Sequence, residues 1–493
     1  MNDTPRRFRQ AVTAVAMLLL AAACPPATAQ PSGPASPNIL LIIADDMGYG
    51  DLGCTGTAVI QTPNLDALAA EGRLCSQAYV TSSVCAPSRA GLITGRYPTR
   101  IGFEANLSRW AEDTPTRPEF YGLHPSEATL ADHLRHQGYR TYAVGKWHLG
   151  YEAAHYPTAR GFDHFTGTRA GSHSYFLNRG RNTIERDGEQ VTEFSSPYAT
   201  DFFTDEAIRY IDLAALRPEH SDREPAPPWF LYLAYNAPHT PMQATDEDLA
   251  HYQDVRNDKR RTYCAMVHAL DRGVGRIVEH LKQTGQYDNT LIVFLSDNGG
   301  PRRTNASWNG PFSGSKGNLR EGGIRVPMII TWPSRIPPGD TAYAGVISAL
   351  DLLPTFLAAC GGDPLPLNDG AGDNARPRTY DGINILDALI ADQPTPNRPL
   401  FWRLQGQTAV LVDGEDKFIR LAHRPAQLFR LSDDPGEGHD LAPDDPQSVE
   451  RLYRVIHDWE RAMPTYPHFN TSPYWQGQSA NNYDDYTPAR EPR

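Results

Sequence analysis

The apolar residues of the chain form short uninterrupted runs, and several of these runs end directly in polar residues. Residues 39–44 lead into two aspartates in NILLIIADDMGYGDLG, and residues 291–295 lead into an aspartate and an asparagine in NTLIVFLSDNGG. Such a run is typical of a central strand in a parallel sheet, because helices cover that strand on both faces. WFLYLAYNAPHTP, YRTYAVGKWHLG and RVPMIITWP indicate three further strands.

Helical periodicity occurs between these strands, in TPNLDALAAEG, SEATLADHLRHQG, YCAMVHALDRGVGRIVEHLKQTG and ALDLLPTFLAACG. The alternation of strands with helices predicts an α/β fold with a doubly wound sheet. Ligands bind such sheets at the carboxyl ends of the strands, which is where the polar residues fall. We therefore expect the functional site at that edge.

The chain divides by composition into a large domain and a smaller one. Strand and helix patterns extend over residues 38–361, and the segment 362–399 is rich in glycine, proline and aspartate, as connections are. Residues 400–493 contain short runs typical of antiparallel strands, followed by the amphipathic segment SVERLYRVIHDWERAM. We predict a small C-terminal subdomain made of a sheet and a helix.

Residues 1–29 have the pattern of a signal peptide. The basic stretch RRFR precedes an apolar run over residues 11–23, which is too short to span a bilayer. The small residues of ATA before Gln30 favour an ordinary signal peptidase, and LAAAC at Cys24 leaves lipoprotein processing as the alternative. We expect an exported protein, periplasmic or secreted, that is attached to a membrane only if Cys24 is lipidated.

The formal net charge of −12 argues against a broad nucleic-acid-binding surface, although it leaves room for a small cationic pocket. The spacing of the six cysteines matches no zinc-binding pattern. For four of them two interpretations stay open: disulfide bonds formed in an oxidising compartment, or small buried apolar residues. These four are Cys54, Cys75, Cys264 and Cys360.

Polar residues after the apolar runs 39–44 and 291–295 indicate a metal site: Asp45, Asp46, Asp297 and Asn298. Three carboxylates at one edge of a sheet repel one another, so a cation is expected among them. Oxygen ligands without a cluster of thiolates or histidines favour Ca²⁺ or Mg²⁺ over zinc. The alternative is that Asp46 caps a helix and Asp297 ends a strand, but two matched pairs favour the metal.

A second group of residues carries positive charge or a donatable proton: Arg89, Lys146, His148, His239 and Lys316. Each of them alone is typical of a surface or a core. Lys316 lies in the glycine-rich segment FSGSKGNLREGG, which is able to approach a ligand closely. With a metal and a helix N-terminus, the group indicates a pocket for a compact tetrahedral oxyanion. The pattern predicts hydrolysis or transfer of a sulfuryl or phosphoryl group.

The segment CAPSRAGLITGR, residues 85–96, matches the sulfatase signature Cys-x-Pro-Ser-Arg-x-x-Leu-x-Thr-Gly-Arg at every fixed position. GYRTYAVGKWHLG matches the second sulfatase signature, and NILLIIADDMGYGDLG, APHTP, LSDNGG and GSKGNLREGGIRVP occur in the family's order. From about residue 38 to the C-terminal helix, the chain resembles the type I, formylglycine-dependent sulfatases. The resemblance implies an alkaline-phosphatase-like α/β fold, with a large mixed or parallel sheet between helices and a small C-terminal antiparallel sheet. It also makes residues 38–361 the catalytic domain.

The resemblance implies that Cys85 is converted to formylglycine (3-oxoalanine) by a formylglycine-generating enzyme or an anaerobic sulfatase-maturating enzyme. Such an enzyme reads the context formed here by Cys85, Pro87 and Arg89. One hydroxyl of the hydrated aldehyde would attack sulfur and displace the alcohol, and loss of the second hydroxyl's proton would expel sulfate. Asp297 would act as the base for the attack. One Ca²⁺ would bind Asp45, Asp46, the modified Cys85, Asp297 and Asn298.

The same resemblance implies roles for the remaining polar residues. Arg89 and Lys146 would hold the formylglycine oxygens, and His148 would accept the proton whose loss releases sulfate. His239 and Lys316 would hold the sulfate group, with His239 protonating the leaving oxygen.

The segment PTARGFDHFTGTRAGSHSYF, residues 157–176, resembles that of arylsulfatase B, the N-acetylgalactosamine sulfatases and the bacterial carrageenan sulfatases. Arg169, His173 and Tyr175 would then recognise a sugar next to the sulfated one, and an ordinary polar loop is the alternative interpretation. Export and this loop favour a sulfated polysaccharide or oligosaccharide as substrate. We therefore predict a sulfuric ester hydrolase that removes sulfate from a carbohydrate.

Other functions fit parts of the pattern. A phosphatase or phosphodiesterase of the same superfamily would share the fold, but typically binds two metals and uses a serine or threonine nucleophile. A phosphonate monoester hydrolase also uses formylglycine, and a small-molecule arylsulfatase uses the same residues. A non-catalytic glycan-binding protein is disfavoured, because every residue of the signatures is present.

Overall fold

The computed structural model describes residues 36–107, 121–179, 183–216, 226–365, 379–422, 424–463 and 491. Contacts divide the chain into two units, Met1–Ala35 and Ser36–Arg493. The first unit, which contains the predicted signal peptide and Cys24, lies outside the described residues. In the parts of the chain that are described, no helix combines the length and the apolar character needed to cross a membrane.

The larger of the two sheets has ten strands within the described residues. In chain order they are β1 (Asn38–Ala44), β2 (Arg73–Tyr79), β3 (Arg140–Lys146), β4 (His164–Thr168), β5 (Glu185–Arg186), β6 (Glu189–Gln190), β7 (Trp229–Ala234), β8 (Thr290–Ser296), β9 (Met328–Thr331) and β10 (Tyr343–Ser348). Their order across the sheet is β10-β2-β9-β8-β1-β7-β3-β4-β5-β6. The block from β8 to β4 is parallel, as predicted, whereas β9 and the short β5 and β6 pair antiparallel with their neighbours. The sheet as a whole is therefore mixed.

Helices cover both faces of this sheet. The α-helices of the described residues are α1 (Pro63–Ala70), α2 (Cys85–Thr94), α3 (Leu130–His136), α4 (Ala199–Ala215), α5 (Asp246–Ala250), α6 (Asp258–Gln283), α7 (Arg302–Asn305), α8 (Glu321–Ile324), α9 (Leu352–Ala359), α10 (Leu386–Ala391) and α11 (Pro446–Arg461). Apolar residues of α2, α3, α9 and α10 pack in the same cluster as Ile39 of β1, and those of α1, α4 and α6 pack with Leu40 on the other face. Burial on both faces explains the uninterrupted apolar sequence of β1.

The smaller sheet is antiparallel and consists of β11 (Leu400–Leu404), β12 (Gln407–Val412), β13 (Asp416–Leu421) and β14 (Gln427–Arg430), in that order. One face, which includes Trp402, packs against Tyr79 and Ile324 of the larger part, and the other face packs against α11. The predicted tail of short strands with a closing helix is confirmed. The predicted connection contains α10, and its residues 366–378 lie outside the described ones.

Five of the six cysteines lie in the described part of the chain, and all five are free thiols there. Cys75 and Cys264 are fully buried in the two apolar clusters of the large sheet. Cys54 and Cys360 are half-buried at the edges of the same clusters. Of the two interpretations of these four cysteines, small apolar residues describe their packing and disulfide bonds do not.

His133 of α3 is buried with both ring nitrogens hydrogen bonded. Its Nδ1 accepts from the backbone N–H of Leu365 at 3.0 Å, so the neutral ring donates from Nε2 to the Tyr380 hydroxyl at 2.8 Å. Burial lowers the pKa of His133 from 6.5 to about 4. A second proton would have to occupy Nδ1 and would break the bond from Leu365.

We expect His133 to make the protein less stable as the pH falls from 6.5 to about 4. In this range the unfolded chain binds a proton at His133 that the folded chain does not, so the free energy of unfolding falls by up to about 1.4 kcal/mol per pH unit. His133→Gln should make this slope shallower in urea unfolding measured at stepped pH. His457→Gln, which replaces an exposed histidine of α11, is the control. An unchanged slope in the His133 variant would contradict the prediction.

Candidate active site

Two segments at the carboxyl ends of β1 and β8 bring the four predicted oxygen ligands together. The register pairs Ala44 with Ser296, so the residues that follow the two strands emerge at the same level. The backbone N–H of Asp297 donates to the carbonyl of Ala44 at 2.9 Å, and Asn298 Nδ2 donates to Asp46 Oδ1 at 2.7 Å. All four predicted ligands are buried. The parallel pairing of two distant strands thus builds the acidic cluster.

Cys85 is the first residue of α2, a helix whose residues are all buried. Its Sγ lies 3.5 Å from Asp45 Oδ1 and 3.9 Å from Asp46 Oδ1, so α2 begins at the acidic cluster. Burial raises the pKa of the Cys85 thiol to about 12, despite the lysines nearby. The thiol is therefore protonated at neutral pH and is a poor nucleophile, because the thiolate is the reactive form.

Each of the three carboxylates forms an ion pair with a cationic side chain. Of these side chains, Arg89 and Lys146 are fully buried and Lys316 is partly exposed. The pairs are Lys146 Nζ with Asp45 Oδ2 at 2.6 Å, Lys316 Nζ with Asp46 Oδ1 at 2.6 Å, and Arg89 Nη2 with Asp297 Oδ2 at 2.8 Å. Burial opposes the charge of Asp46, but Lys316 and His239 outweigh it and hold the pKa of Asp46 well below its usual range. Burial and a neighbouring carboxylate raise the pKa of Asp297. Asp297 is therefore the more basic of these two carboxylates.

The two predicted histidines each present one unprotonated nitrogen. His239 Nδ1 donates to the Thr240 carbonyl at 2.6 Å, and its Nε2 lies 3.5 Å from Asp46 Oδ2. His148 Nε2 donates to the Leu107 carbonyl at 3.0 Å, and its buried Nδ1 has no hydrogen-bond partner among the described residues. Burial lowers the pKa of both rings, for His239 to about 4. Both are therefore neutral at pH 7 in this arrangement.

The loop after β4 carries the residues that were predicted to contact a neighbouring sugar. Gly171 packs directly against His148. A Cβ added at position 171 would lie only 2.7 Å from the imidazole ring. Arg169 is half-buried, donates to the Tyr151 carbonyl and pairs with Glu185 at 3.0 Å. The guanidinium of Arg169 thus has partners within the protein before any substrate binds.

His173 and Tyr175 support the segment that carries His239. Tyr175 is only 1% exposed, and its hydroxyl donates to the carbonyls of Asn236 at 2.6 Å and His239 at 2.9 Å. His173 is half-buried, with Nε2 3.0 Å from Asn236 Oδ1. The expectation of a sugar contact is corrected for Tyr175, since its burial leaves no surface for a sugar.

The donor atoms around the acidic cluster fit a hard divalent cation. Ligand atoms of four residues lie within 4.8 Å of one another, namely those of Asp45, Asp46, Cys85 and His239. Asn298 Oδ1 is buried beside them, without a hydrogen-bond partner in the described structure. Carboxylate and amide oxygens are the donors that Ca²⁺ prefers. The residues present therefore fit the metal that the resemblance implies, and His239 joins the group although it was predicted to bind sulfate.

The sequence profile of the Sulfatase family matches residues 37–362. The chain belongs to the sulfatase family. N-acetylgalactosamine-6-sulfatase from Canis lupus familiaris is 35% identical over 395 residues, which cover 77% of this chain and 70% of that protein. Arylsulfatase A from Homo sapiens is 33% identical over 482 residues, which cover 86% of each chain. This sulfatase is therefore a sulfuric ester hydrolase.

Solved structures agree with this assignment. The crystal structure of Ps i-CgsB in complex with k-i-k-neocarrahexaose is similar with a TM-score of 0.78 at 36% identity, over 90% of this sulfatase and 98% of that chain. The phosphonate monoester hydrolase SpPMH from Silicibacter pomeroyi has a TM-score of 0.64 at 20% identity, over 87% and 96% of the two chains. The second likeness concerns the fold alone. The predicted alkaline-phosphatase-like fold is confirmed.

Two asparagines form hydrogen bonds with segments of the candidate site of this sulfatase, and the sequence did not indicate them. Asn305 Nδ2 donates to the carbonyls of Asp46 at 3.0 Å and Pro238 at 3.4 Å. Asn106 Oδ1 accepts the backbone N–H of Ala86, in the first turn of α2, at 2.9 Å. Neither asparagine belongs to a signature or a periodic pattern. Only their proximity in the fold identifies them.

Proposed function

We propose that the protein removes sulfate from a sulfated oligosaccharide or polysaccharide, through formylglycine formed at Cys85 and one Ca²⁺. The observation that carries this proposal is the position of Cys85 at the buried start of α2. Its Sγ is 3.0 Å from Lys316 Nζ and 3.5 Å from Asp45 Oδ1. A group at this position faces both the carboxylates proposed to hold the metal and a cation able to bind sulfate.

Five residues would hold the Ca²⁺: Asp45, Asp46, Asp297, Asn298 and the modified residue 85. The unpartnered Oδ1 of Asn298 and the close packing of the carboxylates support this ligand set. The bound metal would polarise a sulfate oxygen and lower the pKa of the attacking hydroxyl.

The protein residues around this group hold charge and move protons. Lys316 and His239 would bind the sulfate, and Arg89 and Lys146 would hold the oxygens at position 85. Asp297, whose pKa burial raises, would take the proton of the attacking hydroxyl. The ion pairs of Arg89, Lys146 and Lys316 with the three carboxylates support these roles.

The two histidines would handle the other two proton transfers. His148 would accept a proton at Nδ1, because its Nε2 already donates to the Leu107 carbonyl. His239 would protonate the leaving oxygen from Nε2. Burial lowers the pKa of His239 to about 4, so the charge of a bound sulfate ester is needed to favour its protonated form.

The names of relatives and solved structures support a sulfated glycan as the substrate class. One relative is an N-acetylgalactosamine-6-sulfatase, and the solved structure of Ps i-CgsB is a complex with k-i-k-neocarrahexaose. We propose a sulfated glycan for this chain as well. We further propose an exported protein with a signal peptide at 1–29, a catalytic domain at 38–361, a connection at 362–399 and a C-terminal subdomain at 400–493.

The test is sulfate release from defined substrates by protein co-expressed with a formylglycine-generating enzyme. Mass spectrometry first measures the conversion of Cys85. We expect faster turnover of carrageenan or N-acetylgalactosamine-6-sulfate oligosaccharides than of an aryl sulfate, and the slowest turnover for an aryl phosphonate ester. Preferred turnover of the phosphonate ester would refute the sulfatase proposal, and preferred turnover of the aryl sulfate would refute the glycan substrate.

A further inference from the structure

The loop that carries Lys316 contacts the small C-terminal sheet. This loop, residues 313–321, is called the Lys316 loop below. Gln407 of β12 accepts the backbone N–H of Leu319 at 3.3 Å and donates to the Gly317 carbonyl at 3.4 Å. On its other side, the Gly317 N–H donates to the carbonyl of Ser83, two residues before Cys85, at 2.9 Å. The Lys316 loop therefore lies between the small sheet and the start of α2.

A buried carboxylate from the C-terminal part binds both ends of this loop. Glu437 follows β14, and its Oε2 accepts the Ser313 hydroxyl at 2.8 Å and the backbone N–H of Glu321 at 2.8 Å. Ser313 and Glu321 are the first and last residues of the Lys316 loop. A single oxygen atom thus bridges the two ends of the loop, beside the direct bond from the Gly322 N–H to the Ser313 carbonyl at 2.6 Å.

Lys417 of β13 holds this carboxylate in place. Its Nζ lies 2.9 Å from Glu437 Oε1 and 2.7 Å from Glu321 Oε1, and all three side chains are fully buried. Burying three charges is costly, and an apolar contact of the same shape is often at least as stable. The network is therefore better explained by the geometry it imposes on the Lys316 loop than by stability.

The loop geometry matters because a lysine is a point charge on a flexible side chain. Lys316 Nζ lies 2.6 Å from Asp46 Oδ1 and 3.0 Å from Cys85 Sγ, and the loop backbone determines whether the side chain reaches both. We propose that Glu437, held by Lys417, is a positioning residue that sets Lys316 against the bound sulfate group. This inference rests on the proposed function, in which Lys316 binds sulfate.

The test compares Glu437→Gln, Lys316→Ala and the double variant in matured protein. Glutamine keeps the size of the side chain but removes the charge that pairs with Lys417, and its NH2 group, unlike a carboxylate oxygen, accepts no hydrogen bond. We expect kcat/KM for a sulfate ester to fall roughly 10- to 100-fold, because displacement of a binding group by about 1 Å has effects of this size. The rise in KM and in the inhibition constant of inorganic sulfate should exceed the fall in kcat.

The double variant distinguishes positioning from a general structural effect. If Glu437 acts through Lys316, then Glu437→Gln causes no further loss in the Lys316→Ala background. Losses that multiply in the double variant would overturn the inference, as would a single variant with lower thermal stability and unchanged kinetic constants. Should Glu437→Gln not fold, Ser313→Ala removes one of the two contacts and is expected to raise the same inhibition constant; an unchanged constant would overturn the inference.

Glu460→Gln is the matched control. It breaks the pair between Arg420 of β13 and Glu460 of α11, at 2.6 Å, which lies in the same subdomain and does not contact the Lys316 loop. We expect its kinetic constants to equal those of the unaltered protein. Failure of the proposed function is visible separately, as absent sulfate release before any substitution or as full activity of Lys316→Ala.

Discussion

Cys85→Ala is expected to abolish sulfate release, with a loss on the order of 10⁴-fold or more, because in the proposed mechanism the reacting group derives from this side chain. The residue is buried at the start of α2 and its thiol is protonated at neutral pH, so alanine removes the reactive group without leaving a large cavity. The measurement is release of sulfate and of the alcohol from one substrate, at equal concentrations of matured protein and variant.

Cys85→Ser separates the proposed chemistry from attack by an ordinary hydroxyl or thiol. A serine has one hydroxyl and lacks the second one whose proton loss expels sulfate, so we expect at most one alcohol released per protein molecule. Mass spectrometry should then find one sulfuryl group on Ser at position 85. Continued turnover by the serine variant, or full activity of unconverted Cys85, would contradict the proposal. Thermal unfolding of both variants controls for folding.

Removal of Ca²⁺ is expected to have the second largest effect, a loss of sulfate release of roughly 100-fold or more, since the proposed metal would supply the charge that polarises the ester. The protein should stay folded after chelation, because each of the three carboxylates also pairs with a cationic side chain of the protein. Activity is measured after dialysis against a chelator and again after Ca²⁺ is added back. Restoration by Zn²⁺ and not by Ca²⁺ would contradict the assigned ligand set.

A second readout of the metal does not depend on activity. Ca²⁺ that binds only the folded protein stabilises it by about 2.7 kcal/mol at a concentration 100 times its dissociation constant, which raises the melting temperature. We expect this rise in the unaltered protein and its loss in Asp46→Asn, which removes one ligand charge. Asp205→Asn is the control, because Asp205 of α4 forms a partly exposed ion pair with Arg276 of α6. A rise of equal size in both variants would show that the metal binds elsewhere.

Local sequence patterns predicted much of the fold. The apolar runs of β1, β3, β7 and β8 are strongly buried on both faces, so their sequences differ clearly from those of helices and loops. The strand β2 was not predicted, because RLCSQAY mixes charged and polar residues with apolar ones. The helix α4 was also missed, since its seventeen residues, ATDFFTDEAIRYIDLAA, interleave acidic and apolar positions without a clear start signal.

By itself, the sequence determined the family, the segments proposed to be catalytic and the edge of the sheet at which they meet. Signatures are contiguous, and a parallel sheet brings the ends of its strands to one edge whichever strands are neighbours. Only the tertiary structure decided that Tyr175 supports His239 from a buried position, and that Glu437 holds the Lys316 loop. Ser313 and Glu437 are 124 residues apart, and a hydrogen bond over that separation leaves no periodicity or spacing in the sequence. Contacts of this kind exist only once the small sheet has packed against the large domain.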